Sequence, residues 1–64
     1  MRIKEFRKQL GLSQEKLAKL VGVKQATVSQ WESGISQPSL RSVRKIAHVF
    51  QCTIDELLGG KDRI

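Results

Sequence analysis

Residues 13–32 read SQEKLAKLVGVKQATVSQWE, and this stretch has the strongest structural pattern in the chain. Apolar side chains recur in both halves at the three- and four-residue spacing of an amphipathic helix. Ser13 is a preferred N-cap residue, and Gly22 stands where a left-handed residue would end the first helix. A second helix is predicted from Gln25 to about Ser33. The stretch therefore predicts two short helices joined by a tight turn.

Two helices joined by a turn of three or four residues that contains glycine have the outline of a helix-turn-helix motif. We expect Ala18 to be small because the second of these helices crosses the first at that point. Gly22 permits the sharp turn, since positive φ costs little without a Cβ. The apolar residues expected to bury the inner side of the motif are Leu17, Leu20, Val21, Val23, Val28 and Trp31.

The spacing of apolar residues outside the motif predicts three further short helices. The first ends at Gly11, the fourth begins at Pro38 and Ser39, and a T-x-x-E capping box at 53–56 begins the fifth. Their expected inward residues are Ile3, Phe6 and Leu10 in the first, Leu40, Val43, Ile46, Ala47 and Phe50 in the fourth, and Leu57 and Leu58 in the fifth. No period-two pattern or hairpin turn indicates a strand. The predicted fold class is all-α, a compact bundle of five short helices.

The size and composition of the chain fit one small domain. It has 64 residues, of which 39% are hydrophobic, enough for a single core. We predict one domain over residues 1–60, with the helix-turn-helix at about 13–32, and a short frayed tail at 61–64. Apolar runs are too short for a membrane span. The single Cys52 allows no intramolecular disulfide, so a cytoplasmic location is expected.

Positive charge is concentrated in the first two thirds of the chain. Twelve Lys and Arg oppose six Asp and Glu, for a net charge of +6. Residues 1–45 hold ten basic and three acidic side chains, whereas residues 46–64 hold two and three. This asymmetry is compatible with a surface that faces a polyanion, and equally with an ordinary solvated surface.

The outer face of the third helix has a composition suited to the major groove of DNA. It carries no acidic residue before Glu32. Glutamine can pair with adenine N6 and N7, lysine can donate to guanine, and alanine or the threonine methyl can contact a thymine methyl. Alternatively, the glutamine and serine side chains merely solvate a short helix. The candidate base-reading residues are Lys24, Gln25, Ala26, Thr27, Ser29 and Gln30.

The sequence offers no set of residues for catalysis or metal binding. His48 is the only histidine and Cys52 the only cysteine, so neither a nucleophile–base pair nor a metal site can be assembled. Asp55 and Glu56 suit the first turn of a helix, where carboxylates favour the dipole. We predict that the chain is not an enzyme and needs no cofactor or metal.

Taken together, these residues resemble the phage repressor/Cro-type helix-turn-helix regulators, the XRE family. The resemblance spans about residues 3–60. It implies a lambda-repressor-like DNA-binding domain whose second and third helices read DNA, usually as a homodimer on a near-palindromic operator. The segments that carry it are 10–14 (LGLSQ), 17–18 (LA), 21–23 (VGV), 27–34 (TVSQWESG), Pro38, 46–47 (IA) and 55–58 (DELL).

The resemblance also implies roles for individual residues. Gln25, Ala26, Ser29 and Gln30 take positions that usually face base edges, with Lys24 and Thr27 at the flanks. Ala26 departs from the family pattern, since many relatives have a longer or polar residue there. The residues implied to contact the phosphate backbone are Ser13 and Gln14 at the second helix and Ser36, Gln37 and Ser39 around Pro38.

A further pair matches a structural feature of the family. Arg7 near the end of the first helix and Glu32 at the end of the third are implied to form a largely buried ion pair. The alternative is two surface charges that contribute less than about 1 kcal/mol.

The leading functional prediction is sequence-specific binding of double-stranded DNA by a small homodimeric transcriptional regulator, repressor-like, with the third helix in the major groove. The alternative is an antitoxin or antirepressor-type protein-interaction module on the same scaffold, with a protein partner. RNA binding is a weaker third class, because exposed aromatic residues are not expected. No membrane partner is predicted. The expected dimer surface comprises Phe50, Ile54, Leu57, Leu58 and Ile64, although most of these residues are also expected in the core.

Overall fold

The computed structural model describes residues 1–59, which form five α-helices. These are α1 (Ile3–Gln9), α2 (Gln14–Val21), α3 (Gln25–Ser33), α4 (Leu40–Phe50) and α5 (Ile54–Leu57). The described residues contain no strand, so the predicted all-α bundle of five short helices is confirmed. Within them, no helix has the length and apolar character needed to cross a bilayer. The predicted tail at 61–64 lies outside the described residues.

Side-chain caps begin three of the helices at the predicted positions. The hydroxyls of Ser13 and Ser39 each accept the backbone N–H three residues later, at 3.0 and 3.2 Å. Thr53 and Glu56 form the predicted capping box, with each side chain accepting the other's backbone N–H. Unlike α2 and α3, α4 is not followed by a glycine in the sequence. There the chain turns at Gln51, whose φ is +55°.

The core lies where α2 and α3 pack on each other and α4 packs on α1, α2 and α5. The most deeply buried side chains come from all five helices: Ile3, Leu17, Val28, Ile46 and Leu57. Trp31 is 9% exposed. Phe6, partly buried, packs on buried Phe50 with the ring centroids 5.8 Å apart. The aromatic residues thus belong to the core, as predicted.

Four leucines predicted to point inward are about half exposed or more: Leu10, Leu20, Leu40 and Leu58. Successive residues of an α-helix are about 100° apart, so Leu20 lies about 60° around α2 from buried Leu17. Ala18 and Val21 lie on the other side of Leu17, where α2 is buried. Leu40 is the first residue of α4, and Leu10 and Leu58 cap the ends of α1 and α5. The predictions for these leucines were wrong because helical spacing does not show where the neighbouring helices stop.

Candidate nucleic-acid interface

The turn between α2 and α3 is held by the backbone of Ala18. Its carbonyl accepts hydrogen bonds from the N–H groups of Gly22 and Val23, at 2.8 and 2.9 Å. Gly22 has a φ of +88°, a left-handed conformation that a Cβ would make costly. Ala18 of α2 and Val28 of α3 are both buried in the core, and the two helices pack on each other. The two helices are therefore fixed against each other as one unit.

The outer face of α3 is open to solvent. Trp31 and Val28 point into the core, and Thr27 is half-buried. Before Glu32 the helix carries no acidic residue, and the Glu32 side chain is itself only 4% exposed. The face therefore presents amide, hydroxyl, methyl and ammonium groups without an exposed carboxylate. Its exposed members are Lys24, Gln25, Ala26, Ser29 and Gln30.

The structure brings Arg7 of α1 and Glu32 of α3 together as an ion pair. Arg7 Nε donates to Glu32 Oε2 at 2.6 Å, and Nη2 donates to Oε1 at 3.2 Å. The third guanidinium nitrogen, Nη1, donates to the Leu12 carbonyl at 2.7 Å. The two side chains are 10% and 4% exposed. One buried guanidinium therefore ties together α1, the loop before α2 and the end of α3.

The surroundings of the pair keep both members charged. Burial by itself would raise the pKa of Glu32, but hydrogen bonds from Arg7 and Gln14 and the charges of Arg7 and Lys4 outweigh it and lower the pKa below its ordinary value. The hydrogen bond to Glu32 raises the pKa of Arg7 despite burial. The carboxylate is consequently ionised at neutral pH and acts only as an acceptor.

Gln14, expected at the phosphate backbone, also belongs to this buried network. Its Nε2 donates to Glu32 Oε1 at 3.0 Å. Its Oε1 accepts a hydrogen bond from Nε2 of Gln25, at 3.4 Å. Sequence reasoning missed this connection, because Gln14 and Glu32 are 18 residues apart and neither residue type indicates the contact. The structure thereby joins one candidate phosphate residue to one candidate base-reading residue.

Three of the other candidate phosphate residues, Ser36, Gln37 and Ser39, lie in and after the loop that follows α3. The N–H groups of Ile35 and Ser36 donate to the carbonyl of Gln30, at 3.0 and 3.4 Å, which attaches the loop to the end of the helix. In this loop Ser36 is half-buried and Gln37 is exposed. The exposed N-cap hydroxyls of Ser13 and Ser39 already accept one backbone N–H each. The candidate phosphate groups thus lie at the beginning of α2 and in the segment after α3.

The predicted dimer surface requires correction. Phe50 and Leu57 are 6% and 0% exposed, so they belong to the core and cannot form a contact surface. Ile54 is half-buried, and Leu58 is 52% exposed. Ile64 lies outside the described residues. The core role expected for Phe50 and Leu57 is confirmed, and their part in the dimer surface was wrong because a 64-residue bundle needs these side chains for its own core.

His48 and Cys52 are the remaining side chains that the sequence offered for catalysis or metal binding. His48 is exposed, and Cys52 is half-buried. Burial raises the pKa of the Cys52 thiol, the charge of Glu56 adds to this, and Arg2 opposes it. The thiol therefore stays protonated at neutral pH. Within residues 1–59, no group of three or more His, Cys, Asp or Glu side chains is placed to hold a metal ion.

Comparison with known proteins gives consistent matches over most of the chain. A family model described as helix-turn-helix matches residues 3–57. An uncharacterized HTH-type transcriptional regulator of Archaeoglobus fulgidus is 50% identical over 56 residues, which are 88% of this chain and 80% of that protein. The HTH-type transcriptional activator BcrR of Enterococcus faecalis is 38% identical over 63 residues, 98% of this chain. The chain spans only 31% of the length of BcrR.

A solved structure matches the fold as a whole. The P22 c2 repressor protein, crystallised in complex with the synthetic operator 9T, superposes with a TM-score of 0.86 at 37% sequence identity. The match covers 92% of this chain and 89% of that chain.

Proposed function

The chain belongs to the phage repressor/Cro-type (XRE) helix-turn-helix family of DNA-binding transcriptional regulators, and from this premise we propose that it binds a specific duplex operator as a homodimer. In this proposal α3 enters the major groove and reads base edges. Two copies place their α3 helices in successive major grooves on one side of the duplex, about 34 Å or 10 base pairs apart.

The observation that carries the proposal is the outer face of α3. Its exposed residues include Gln25 and Gln30, whose amides suit adenine, and Lys24, whose ammonium group suits guanine. Ala26 and the methyl group of Thr27 suit contact with a thymine methyl. A carboxylate on this face would repel the phosphates that line the groove, and the face has none exposed. These features favour duplex DNA over a protein surface.

Backbone contacts are proposed at the beginning of α2 and in the segment after α3. Ser13 and Gln14 lie at the beginning of α2, where unpaired N–H groups and the helix dipole favour a phosphate. Ser36, Gln37 and Ser39 lie in and after the loop that follows α3. All five are uncharged, so exposed lysines and arginines elsewhere must supply most of the phosphate attraction. Binding should therefore weaken with rising salt.

Selection of bound duplexes from a random library is the direct test of this proposal. We expect enrichment of a two-fold symmetric sequence with half-sites about 10 base pairs apart. Sedimentation of the complex should show two chains per duplex. A library with no enriched sequence, together with a stoichiometric protein partner captured by the same chain, would instead support the antitoxin or antirepressor-type module.

Single substitutions on the α3 face should reduce specificity rather than general affinity. Gln25→Ala or Gln30→Ala is expected to weaken binding to the selected operator by about 1–3 kcal/mol and to leave non-specific binding nearly unchanged. Fluorescence anisotropy with operator and scrambled duplexes measures both quantities. Gln9→Ala, on exposed α1 surface, is the matched control and should bind like the unaltered protein. Operator binding that survives both α3 substitutions would show that this face does not read the bases.

A further inference from the structure

The solvent side of α4 carries positive charge without any negative charge. Successive residues of an α-helix are about 100° apart, so the basic residues of α4 share one face, about 100° wide, directly opposite the buried side of the helix. That buried side comprises Val43, Ile46, Ala47 and Phe50. Among the helices of residues 1–59, α4 alone contains no acidic residue. We call the exposed side the α4 basic face, and its members are Arg41, Arg44, Lys45 and His48.

This arrangement of charges does not favour the helix itself. Arg41 is the second residue of α4, whose first turn has no acidic residue, and a cation near a helix N-terminus opposes the helix dipole. Arg44 and Lys45 lie one turn after Arg41, where neighbouring like charges destabilise a helix. Among residues 1–59, none of these three side chains has a hydrogen-bond or ion-pair partner. Charges that the fold leaves uncompensated in this way are typical of a binding surface.

The α4 basic face begins beside the segment already proposed to contact the DNA backbone. Ser39, one of the proposed phosphate residues, is the N-cap of α4, and Arg41 follows it by two positions. The loop before Ser39 is fixed to the end of α3 by two backbone hydrogen bonds to the Gln30 carbonyl. From Arg41 to Lys45 the helix rises about 6 Å, a distance over which a duplex carries about three negative charges. The face is therefore long enough to meet more than one phosphate.

We infer that the α4 basic face is a second contact surface for the operator, which binds the sugar-phosphate backbone of the same duplex whose bases α3 reads. This inference rests on the proposed function. The residues proposed for backbone contact around Pro38 are uncharged, so the cations of α4 supply the attraction that those residues lack. The guanidinium groups of Arg41 and Arg44 can each donate two parallel hydrogen bonds to one phosphate. Phosphates are the same at every base pair, so the face adds affinity and not sequence preference.

An acidic protein surface would attract the same cations, but the position of the face favours DNA. The face continues from the loop between α3 and α4, so a duplex held by α3 brings its backbone to the beginning of α4 without any further partner. Arg41 lies nearest to this loop, and Arg44 and Lys45 extend the surface by one turn.

The test removes two charges of the α4 basic face and measures both affinity and its salt dependence. Arg44→Gln with Lys45→Gln should weaken binding to a selected operator duplex of about 20 base pairs by about 10-fold or more. The slope of the logarithm of the association constant against the logarithm of the salt concentration should become shallower by about 2. Scrambled duplexes of the same length should lose affinity by a similar factor. The melting temperature of the protein should stay the same or rise, because like-charge neighbours are removed.

Lys8→Gln with Lys19→Gln is the matched control, because it removes the same net charge from exposed positions of α1 and α2. It should weaken operator binding by less than about threefold. A loss in the α4 variant no larger than in this control would overturn the inference. If the α4 double variant does not fold at the assay temperature, which circular dichroism would show, Arg41→Gln decides in its place and should lower the salt slope by about 1.

Two other outcomes would identify a different partner and would also overturn the inference. A loss of affinity confined to duplexes longer than the operator would mean that the α4 basic face holds a separate stretch of DNA. Unchanged DNA affinity together with lost binding to an acidic protein would assign the face to protein recognition. Absence of any selected operator would refute the proposed function, whereas an operator bound equally well by the α4 variant would refute only this inference.

Discussion

Replacing Glu32 with alanine is expected to lower the free energy of unfolding by about 3–5 kcal/mol, because it leaves the Arg7 guanidinium buried without its counter-charge. The Arg7 side chain is 10% exposed and keeps only its hydrogen bond to the Leu12 carbonyl in this variant. Small domains of this size have total stabilities of roughly 3–10 kcal/mol. The melting temperature should fall by about 12 °C or more, as thermal or urea unfolding would measure.

An exposed ion pair in the same protein provides the control. Arg2 Nε lies 2.9 Å from Glu5 Oε1, but the Glu5 side chain is 53% exposed. Glu5→Ala should therefore cost less than about 1 kcal/mol. A double-mutant cycle with Arg7→Met and Glu32→Ala isolates the coupling between the two buried groups. A coupling energy near zero would show that these residues behave as independent surface charges.

The Arg7–Glu32 ion pair should make the free energy of unfolding depend on pH under acidic conditions. Because the pKa of Glu32 in the folded protein lies below its ordinary value of 4.5, the unfolded chain binds this proton more readily. The stabilisation by the pair is present in full above that ordinary value and is lost as the pH falls through the lowered pKa of the folded state. Urea unfolding of the unaltered protein and of Glu32→Ala, from pH 7 to pH 3, should show a steeper loss in the unaltered protein.

Ser29→Glu is expected to abolish operator binding while the protein remains folded. It places a carboxylate in the middle of the exposed α3 face, where the proposed complex brings it near the phosphates. Opposed like charges at an interface cost several kcal/mol, so the dissociation constant should rise about 100-fold or more. Glutamate favours helix formation, so the free energy of unfolding should change by less than about 0.5 kcal/mol.

Two further variants test whether the effect of Ser29→Glu comes from the charge at this position, from the size of the side chain, or from a general repulsion between the protein and DNA. Ser29→Gln has nearly the same volume without the charge and should weaken binding far less. Gln9→Glu makes the same change in net charge at an exposed position of α1. It should have only a small, salt-sensitive effect. Ser29→Glu protein that binds the operator within about threefold of the unaltered protein would contradict α3 as the reading helix.

Local patterns in the sequence were sufficient to predict much of this fold. The N-caps at Ser13, Ser39 and Thr53 and the left-handed turn at Gly22 depend on interactions within a few residues. The outer face of α3 could also be predicted from local sequence, because the spacing of Val28 and Trp31 identifies the inner face of the helix. Leu20 and Leu40 were misjudged, since their exposure depends on how far the neighbouring helices extend.

By itself, the sequence determined the five helices, their caps and the absence of acidic residues from the α3 face, because each of these follows from residue type at short range. Only the tertiary structure decided that Gln14 links the buried Glu32 to Gln25. It also decided between the core role and the dimer-surface role that were both expected for Phe50 and Leu57, in favour of the core. Contacts of this kind join residues far apart in the chain, and their geometry exists only after the helices have packed.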